Sequence, residues 1–517
     1  MNGFPILSLL TLVPLVGGLI LLGLHSRQHQ LARRLALAFS GVSLLGVLLL
    51  CGWFDTGTES MQFEERYGWI DALAVDYRLG IDGLGLLMVL LTGIVVPMAL
   101  AAAGPVPDRG PAYFGLVLLL QSGLFGTFTA LNFFHWFIFW ELSLIPAFFL
   151  IKLWGGPQRS AAAIQFFVYT MVGSIGLLLA FLAIYLAVGT FDFMEIAERA
   201  RQGTLIPALS ASVGWYDLTT RQLGFVIFAA AFLGFAVKVP LVPLHTWLPA
   251  AYSEAPTATT MLLTGLMSKM GVYGFIRIVL PIFPEALRWV SVPLLWLAVI
   301  TVVVSAAAAL AQRDLKRMLA YSSINHLGYC LLGLFAITSG AAGELVAVEK
   351  SAALSGVFLQ MFNHGLTAAA LFWFVALIEK RSGGLRGLGD FGGLRTRAPV
   401  LCGLMGIALF SSLGLPGLNG FVGEFLIFKG VFGLTPWAAT LSTLGLLLTA
   451  VFILTMIQRV FFGPVNPAWS GFSELTVGER WQVAPVIGLM FLIGIYPQAI
   501  LGFTNRTVVT MIKAVGY

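Results

Sequence analysis

Residues 238–245 read Lys-Val-Pro-Leu-Val-Pro-Leu-His and lie at the end of an apolar run spanning 224–245. Pro240 and Pro243 each lack a backbone N–H and crowd the preceding turn, so no helix passes through them unbroken. Residues 415–420, Leu-Pro-Gly-Leu-Asn-Gly, repeat the device inside a second apolar run at 399–430. Irregular backbone at membrane depth is tolerated only where protein or a water-filled cavity satisfies its polar groups. Two interrupted segments in corresponding positions point to inverted repeats around a transport site.

The rest of the chain supplies the membrane. Of its 517 residues, 59% are hydrophobic and 10% charged, against about 25% charged in a soluble domain. The mean hydropathy is +0.93. A window of ~19 residues marks about fourteen spans, at 4–24, 31–53, 83–103, 112–130, 132–152, 162–188, 224–245, 257–281, 289–311, 317–337, 349–378, 399–430, 436–462 and 481–504. The fold class is an all-α integral membrane protein with broken helices 7 and 12. Those breaks are five spans apart, which makes spans 4–8 and 9–13 two inverted five-helix repeats. A single transmembrane domain covers 1–517: spans 1–3 over 1–111, the first repeat over 112–281, the second over 282–463, and the last span within 464–517. No separate soluble domain is expected. The N-terminus opens on an apolar run without a basic segment or cleavage site and reads as a first span.

The net charge of +6 follows from the membrane reading and calls for no nucleic-acid partner, because Lys and Arg collect in cytoplasmic loops. Alternate threading puts Arg27, Arg33, Arg34, Lys152, Arg313, Lys316, Arg317, Lys380, Arg381, Arg395 and Arg459 on one side. The other side carries far fewer, and its first long loop is acidic (Asp55, Glu59, Glu64, Glu65, Asp71, Asp76). The basic side is therefore expected to be cytoplasmic, with both termini on the opposite face. Cys51, Cys330 and Cys402 stand singly in apolar stretches as small hydrophobes. No metal cluster, disulfide framework, dinucleotide fingerprint or P-loop can be assembled. No cofactor is expected in this chain.

Few charges lie deep in the spans: Glu141, Lys238, Lys269 and Glu424. An ionisable group at the bilayer centre costs at least ~2.5 kcal/mol and faces a partner or water. The plain alternative is a static ion pair that only specifies packing. Burial disfavours the charged form of acids and lysines alike, and an opposite charge restores it. A buried lysine thus releases its proton when its carboxylate partner moves and regains it when the partner returns. Arginine could not do this. His326 and His364, in spans beside Ser and Asn, suit a relay because histidine titrates near neutrality. His245, at the end of the broken seventh span, is a further candidate, whereas His135 reads as structural. The 13 Trp, 12 Tyr and 41 Phe are assigned no function.

Four motifs in order carry a resemblance over nearly the whole chain. They are Phe139-Trp140-Glu141-Leu142-Ser143-Leu144-Ile145-Pro146; Ala236-Val237-Lys238-Val239-Pro240, continuing to Leu248-Pro249; Arg313-Asp314-Leu315-Lys316-Arg317, continuing to Asn325-His326; and Gly420-Phe421-Val422-Gly423-Glu424-Phe425. They resemble the antiporter-like subunits of respiratory complex I, the proton-pumping NADH:quinone oxidoreductase, and most of all its fourth core membrane subunit. The resemblance implies fourteen helices in two inverted repeats, Glu141 paired with Lys238, Lys269 as central relay lysine and Glu424 as terminal proton site. Sister subunits usually carry lysine where this chain has Glu424. The chain also ends soon after its last span, without the lateral helix of the fifth subunit. After Pro249 the family usually continues Asp-Ala-His, whereas here Ala250, Ala251 and Tyr252 follow, which changes the polar contacts expected of that loop.

The function expected is proton translocation in the membrane arm of an NAD(P)H- or ferredoxin:quinone oxidoreductase. The chain would be a subunit of a translocase enzyme, with Glu141, Lys238, Lys269, His326, His364, His245 and Glu424 carrying protons. FMN, iron–sulfur clusters and quinone would belong to partner subunits. Partners would be other complex I subunits, above all neighbouring antiporter-like ones, and membrane lipids. The location would be a bacterial inner membrane, multi-pass, with periplasmic termini; a thylakoid-type membrane is the other setting the resemblance allows. The alternatives are a subunit of a multisubunit Na+(cation)/H+ antiporter, without redox partners, and a structural subunit whose pathway is dead.

Overall fold

The computed structural model describes residues 4–104, 106, 108–213, 218–339 and 343–514. The helices are α1 Ile6–Leu22, α2 His29–Trp53, α3 Gly83–Ala103, α4 Gly110–Thr129, α5 Phe133–Trp154, α6 Arg159–Val188, α7 Phe193–Arg201, α8 Leu205–Val213, α9 Thr220–Lys238 and α10 Trp247–Glu254. They continue as α11 Thr257–Ile282, α12 Ser291–Leu310, α13 Leu315–Ala336, α14 Glu344–Arg381, α15 Pro399–Ser412, α16 Asn419–Leu434, α17 Pro436–Phe461, α18 Val477–Ile495 and α19 Gln498–Ala514. Among the described residues ten helices are long and apolar enough to cross a membrane. An eleventh span forms if α18 and α19, bent by 65°, count as one.

Both interruptions are present. The first separates α9 from α10 across Val239–Thr246, and the second separates α15 from α16 across Leu413–Leu418. Their polar backbone is satisfied inside the protein. Val242 N donates to Thr301 Oγ1 at 3.1 Å and Trp247 Nε1 to Val237 O at 3.0 Å. Asn363 Nδ2 donates to Asn419 O at 2.6 Å, while Ser411 Oγ bonds Asn419 Oδ1 at 2.5 Å and Thr367 Oγ1 at 3.1 Å.

Two features depart from a purely helical reading. The acidic first loop is an antiparallel hairpin of β1 Gln62–Ile70 and β2 Val75–Ile81. Its Glu65 carboxylate accepts from Leu7 N at 2.8 Å and Ser8 N at 3.2 Å. It thereby supplies the anion that the first turn of α1 lacks in its own sequence. The acidic residues of this loop also bind the few arginines of this face, Arg66 to Asp76 at 2.6 Å and Arg78 to Glu64 at 2.9 Å. The last span, read as one run over 481–504, bends after Ile495. Pro497 offers no backbone donor and pushes Tyr496 out of the helical region, to φ −129° and ψ 71°.

α11 and α13 are buried along almost their whole length, and α14 through its apolar middle. The outer helices present apolar rows to lipid, such as Ile164, Val168, Val172, Ile175, Leu179 and Leu186 on α6. Such rows would be a fault in water and are the expected surface in hydrocarbon. Two glycines let the central helices touch: a Cβ on Gly365 would stand 2.9 Å from Gly265 O, and one on Gly265 3.3 Å from Gly365 O. This close approach brings α14 within side-chain reach of Lys269.

Candidate functional site

Lys269 lies on α11 in a short α-helical segment, Ser268–Gly274, flanked by π-helical turns at Leu263–Met267 and Phe275–Val279. Widened turns free carbonyls from the regular ladder and recur at functional sites. One of these, Thr264 O, accepts from Lys269 Nζ. The ammonium group also reaches Ser268 Oγ at 3.3 Å and His364 Nδ1 at 2.7 Å. The side chain is fully buried, and no carboxylate is among its hydrogen-bond partners.

From Lys269 the polar groups form a chain. The His364 ring, on α14, has its centre 5.2 Å from that of His326 on α13. His326 Nδ1 lies 2.9 Å from Glu424 Oε1 on α16. Its Nε2 lies 3.0 Å from Ser412 Oγ, the last residue of α15 before the second break. Gln360, one turn before His364, donates from Nε2 to Glu424 Oε1 at 3.2 Å. A small cavity lined by Ser322, Ser323, Ala368 and Ser412 adjoins His364. Four candidates from four different helices thus meet in one line, each shielded from solvent.

The other candidates stand apart from that line. Lys238, at the C-terminal end of α9, places Nζ 4.8 Å from the centre of the Trp140 ring. Glu141, the next residue on α5, is the charge acting on Lys238. Among the described residues, however, the two form no direct ion pair, and Glu141 Oε1 is shielded without a hydrogen-bond partner. A cation over an aromatic face keeps part of its stabilisation without a carboxylate in contact. His245 lies within the first break, half-buried, its ring 6.2 Å from that of Tyr321. His135 packs against the hairpin, with Tyr77 at 4.6 Å between ring centres, a structural placement.

Sequence reasoning missed Gln360 and Ser412 as partners of the His326–Glu424 pair. Gln360 carried one usable signal, its spacing of four residues before His364, which puts both on one helix face. It also missed a buried ion pair between Asp82 and Arg277, because Arg277 falls near the end of its span. Lys269 and His364 can pass a proton directly, and so can His326 and Glu424. Among the described residues no group of three or more His, Cys, Asp and Glu could hold a metal ion.

The family model described as NADH:quinone oxidoreductase/Mrp antiporter, TM, matches residues 130–452. NADH-quinone oxidoreductase subunit M of Rhodobacter capsulatus is 34% identical over 513 residues, covering 98% of this chain and 96% of the relative. The protein of the same name from Mycobacterium tuberculosis is 32% identical, covering 100% and 95%. Among solved structures, a chain of respiratory complex I from Thermus thermophilus with bound NADH matches with a TM-score of 0.83 and 29% identity, covering 99% of this chain and all of that one. A chain of the Mrp complex from Dietzia sp. shares the fold, with a TM-score of 0.82 and 22% identity over the full length of both. With identity of 32–34% to several such proteins over nearly the whole of both chains, this chain belongs to the NADH-quinone oxidoreductase subunit M family.

Proposed function

We propose that this chain moves protons across a bacterial inner membrane as a membrane-arm subunit of a proton-pumping NADH:quinone oxidoreductase, through the line Lys269–His364–His326–Glu424. The observation that carries the reading is that line of titratable groups from four helices, in which Lys269–His364 and His326–Glu424 are in contact and the two histidine rings stand 5.2 Å apart between centres. A purely structural subunit would have no use for a lysine and a histidine, Lys269 and His364, held buried against each other with no carboxylate among their hydrogen-bond partners in the described residues, since each costs stability there.

In this reading redox chemistry in other subunits shifts Glu141 relative to Lys238. The state of Lys238 then changes the proton affinity of Lys269. Lys269 hands its proton to His364, His326 receives it, and Glu424 releases it towards the face opposite the basic loops. That face is periplasmic by the loop charges, and both termini lie on it. The breaks after Lys238 and before Asn419 stand at matching places in two inverted repeats, 112–281 and 282–463, within a frame of fourteen spans. FMN, iron–sulfur clusters and quinone reside in partner subunits, and neighbouring antiporter-like subunits flank this one through apolar helix faces. His245 serves the same pathway from the first break. The Mrp likeness reflects the fold alone. Glu424, where sister subunits and cation antiporters usually carry lysine, favours the oxidoreductase.

Two experiments test this. Glu141→Gln or Lys238→Ala in native membranes is expected to lower proton translocation severalfold while the complex remains assembled. Unchanged pumping alongside normal electron transfer would sink the coupling scheme. Mild-detergent purification of the chain is expected to bring iron–sulfur and flavin subunits, visible in the absorption spectrum. A colourless eluate of antiporter-like subunits alone would transfer the assignment to the cation/proton antiporter.

A further inference from the structure

The Asp82–Arg277 ion pair lies outside the line just described and serves no step of it. Both residues are 7% exposed. Arg277 sits on α11 two turns beyond Lys269, with Tyr273 on the turn between, so the three share a face of one helix. The Arg277 guanidinium carbon is 5.6 Å from the centre of the Tyr273 ring, and Tyr273 Oη donates to Phe128 O at 3.1 Å. Asp82 is held in its turn, because its carboxylate caps α3 through Gly85 N at 3.0 Å. The adjacent Gly83 N donates to Thr507 Oγ1 of α19 at 2.9 Å.

Above this pair a cavity of about 330 Å³ opens between the hairpin, α7 and α19, with Glu59, Glu64, Arg78, Glu198 and Arg201 among its lining residues. The rim arginines are paired as Arg277 is, Arg78 with Glu64 and Asp192 and Arg201 with Glu198, but they stand where the cavity is open. At the floor, Arg277 Nε is shielded and has no hydrogen-bond partner among the described residues. The α11 turn that carries it, Phe275–Val279, is π-helical. A space of this size, largely apolar but with the carboxylates of Glu59, Glu64, Asp82 and Glu198 and the guanidinium groups of Arg78, Arg201 and Arg277 on its walls, has room for several waters beside those groups, each taking ~30 Å³ of liquid volume. Its floor is eight residues along the helix from Lys269, or ~12 Å at 1.5 Å per residue. On the proposed topology this cavity faces the side to which protons are pumped, so an open floor would let them return by the shortest path.

Arginine suits a barrier where lysine or histidine would not. It keeps its proton in proteins and so cannot hand one on, and a fixed positive charge at a constriction repels an incoming hydrated proton. We propose that Arg277, pinned by Asp82, is an electrostatic plug that closes the hairpin-side cavity against proton back-flow to Lys269. This rests on the reading of Lys269 as a proton site.

The test uses the intact purified complex containing this chain, reconstituted in liposomes. Asp82→Asn with Arg277→Gln removes both charges together and strands neither. Electron transfer is expected to persist while the proton gradient, once the donor is exhausted, decays severalfold faster than in the wild type. Adding Lys269→Met is expected to restore the wild-type decay. Arg277→Gln alone, in which Asp82 can take up a proton and become neutral, gives the same readout should the double variant fail to assemble. Decay at the wild-type rate in both neutralised variants overturns the plug. A leak that survives Lys269→Met also overturns it and makes the pair a clamp between α3 and α11. Failure of the underlying Lys269 reading is seen separately, as wild-type pumping in Lys269→Met alone.

Discussion

Lys269→Met is expected to abolish proton translocation through this subunit while leaving the complex assembled, and Lys269→Arg is expected to do the same. Methionine matches the length of lysine, fills a site that is fully buried, and removes a charge whose burial costs ~2.5–3.5 kcal/mol at a helix centre. Folding therefore has little to lose. What is lost is the group that lies 2.7 Å from His364 Nδ1, and with it the start of the line to Glu424. Arginine makes the experiment decisive. It would preserve a positive charge beside Thr264 O and His364, yet it cannot release a proton. A static role in packing or charge balance predicts that Arg restores function, whereas proton cycling predicts that Arg is as inactive as Met. The measurement is protons moved per electron in sealed vesicles, with electron transfer followed in parallel. A wild-type ratio in either variant refutes the relay role.

Gly420→Ala is expected to cost assembly of the whole subunit. A Cβ at this position would lie 1.9 Å from Ser411 O, a main-chain atom with no freedom to swing away. Relief requires α15 and α16 to separate at the second break. That would pull Asn419 from Ser411 and Asn363, which hold the break closed. It would also shift Glu424, one turn along α16, away from His326. Overpacking of this kind typically costs ~1–3 kcal/mol when side chains can adjust, and here the opposing atom is backbone. Gly403→Ala on α15, where an added Cβ meets nothing within 4 Å, is the control and should assemble normally. Native electrophoresis of solubilised membranes gives the comparison. Equal yields of intact complex from both variants would show that the break tolerates widening.

Much of the site was legible along the chain because burial of charge is written in composition. Lys269 and Glu424 stand out as ionisable residues inside long, mainly apolar runs, and the cost of placing them there makes them functional candidates without any structure. The breaks were legible for a similar reason, since proline chemistry is local. Pro240, Pro243 and Pro416 interrupt helices here, whereas Pro14, Pro97, Pro146 and Pro485 are carried inside α1, α3, α5 and α18. His326 and His364 were named, but their partners were not. The pairing of His326 with Glu424, and its support by Gln360 and Ser412, joins residues up to 98 positions apart, and no periodicity encodes such a distance.

The hairpin at 62–81 was hidden because a short polar loop carries too few apolar residues for an alternating pattern to stand out. Its acids read as a sign of sidedness, whereas in the fold they also serve as the cap of α1 and as partners for Arg66 and Arg78. The resemblance implied a Glu141–Lys238 pair, and the structure instead sets Lys238 over Trp140 with Glu141 out of direct contact. That geometry depends on how α5 and α9 rotate about their own axes, which side-chain packing decides. Arg277 was passed over because linear position places it near a span's end, where an arginine normally reaches water; only the approach of α3, with Asp82 at its first turn, turns it inward.

By itself the sequence determined that this chain lives in a membrane, where its helices break, and which residues are too costly to be there without a purpose. Those properties follow from transfer free energies and backbone chemistry, which act residue by residue. Only the tertiary structure decided that Lys269, His364, His326 and Glu424 form one line, that Glu141 stands off Lys238, and that Arg277 meets Asp82. Proton transfer and ion pairing depend on separations of about 3 Å, and those are set by the packing of helices distant in sequence.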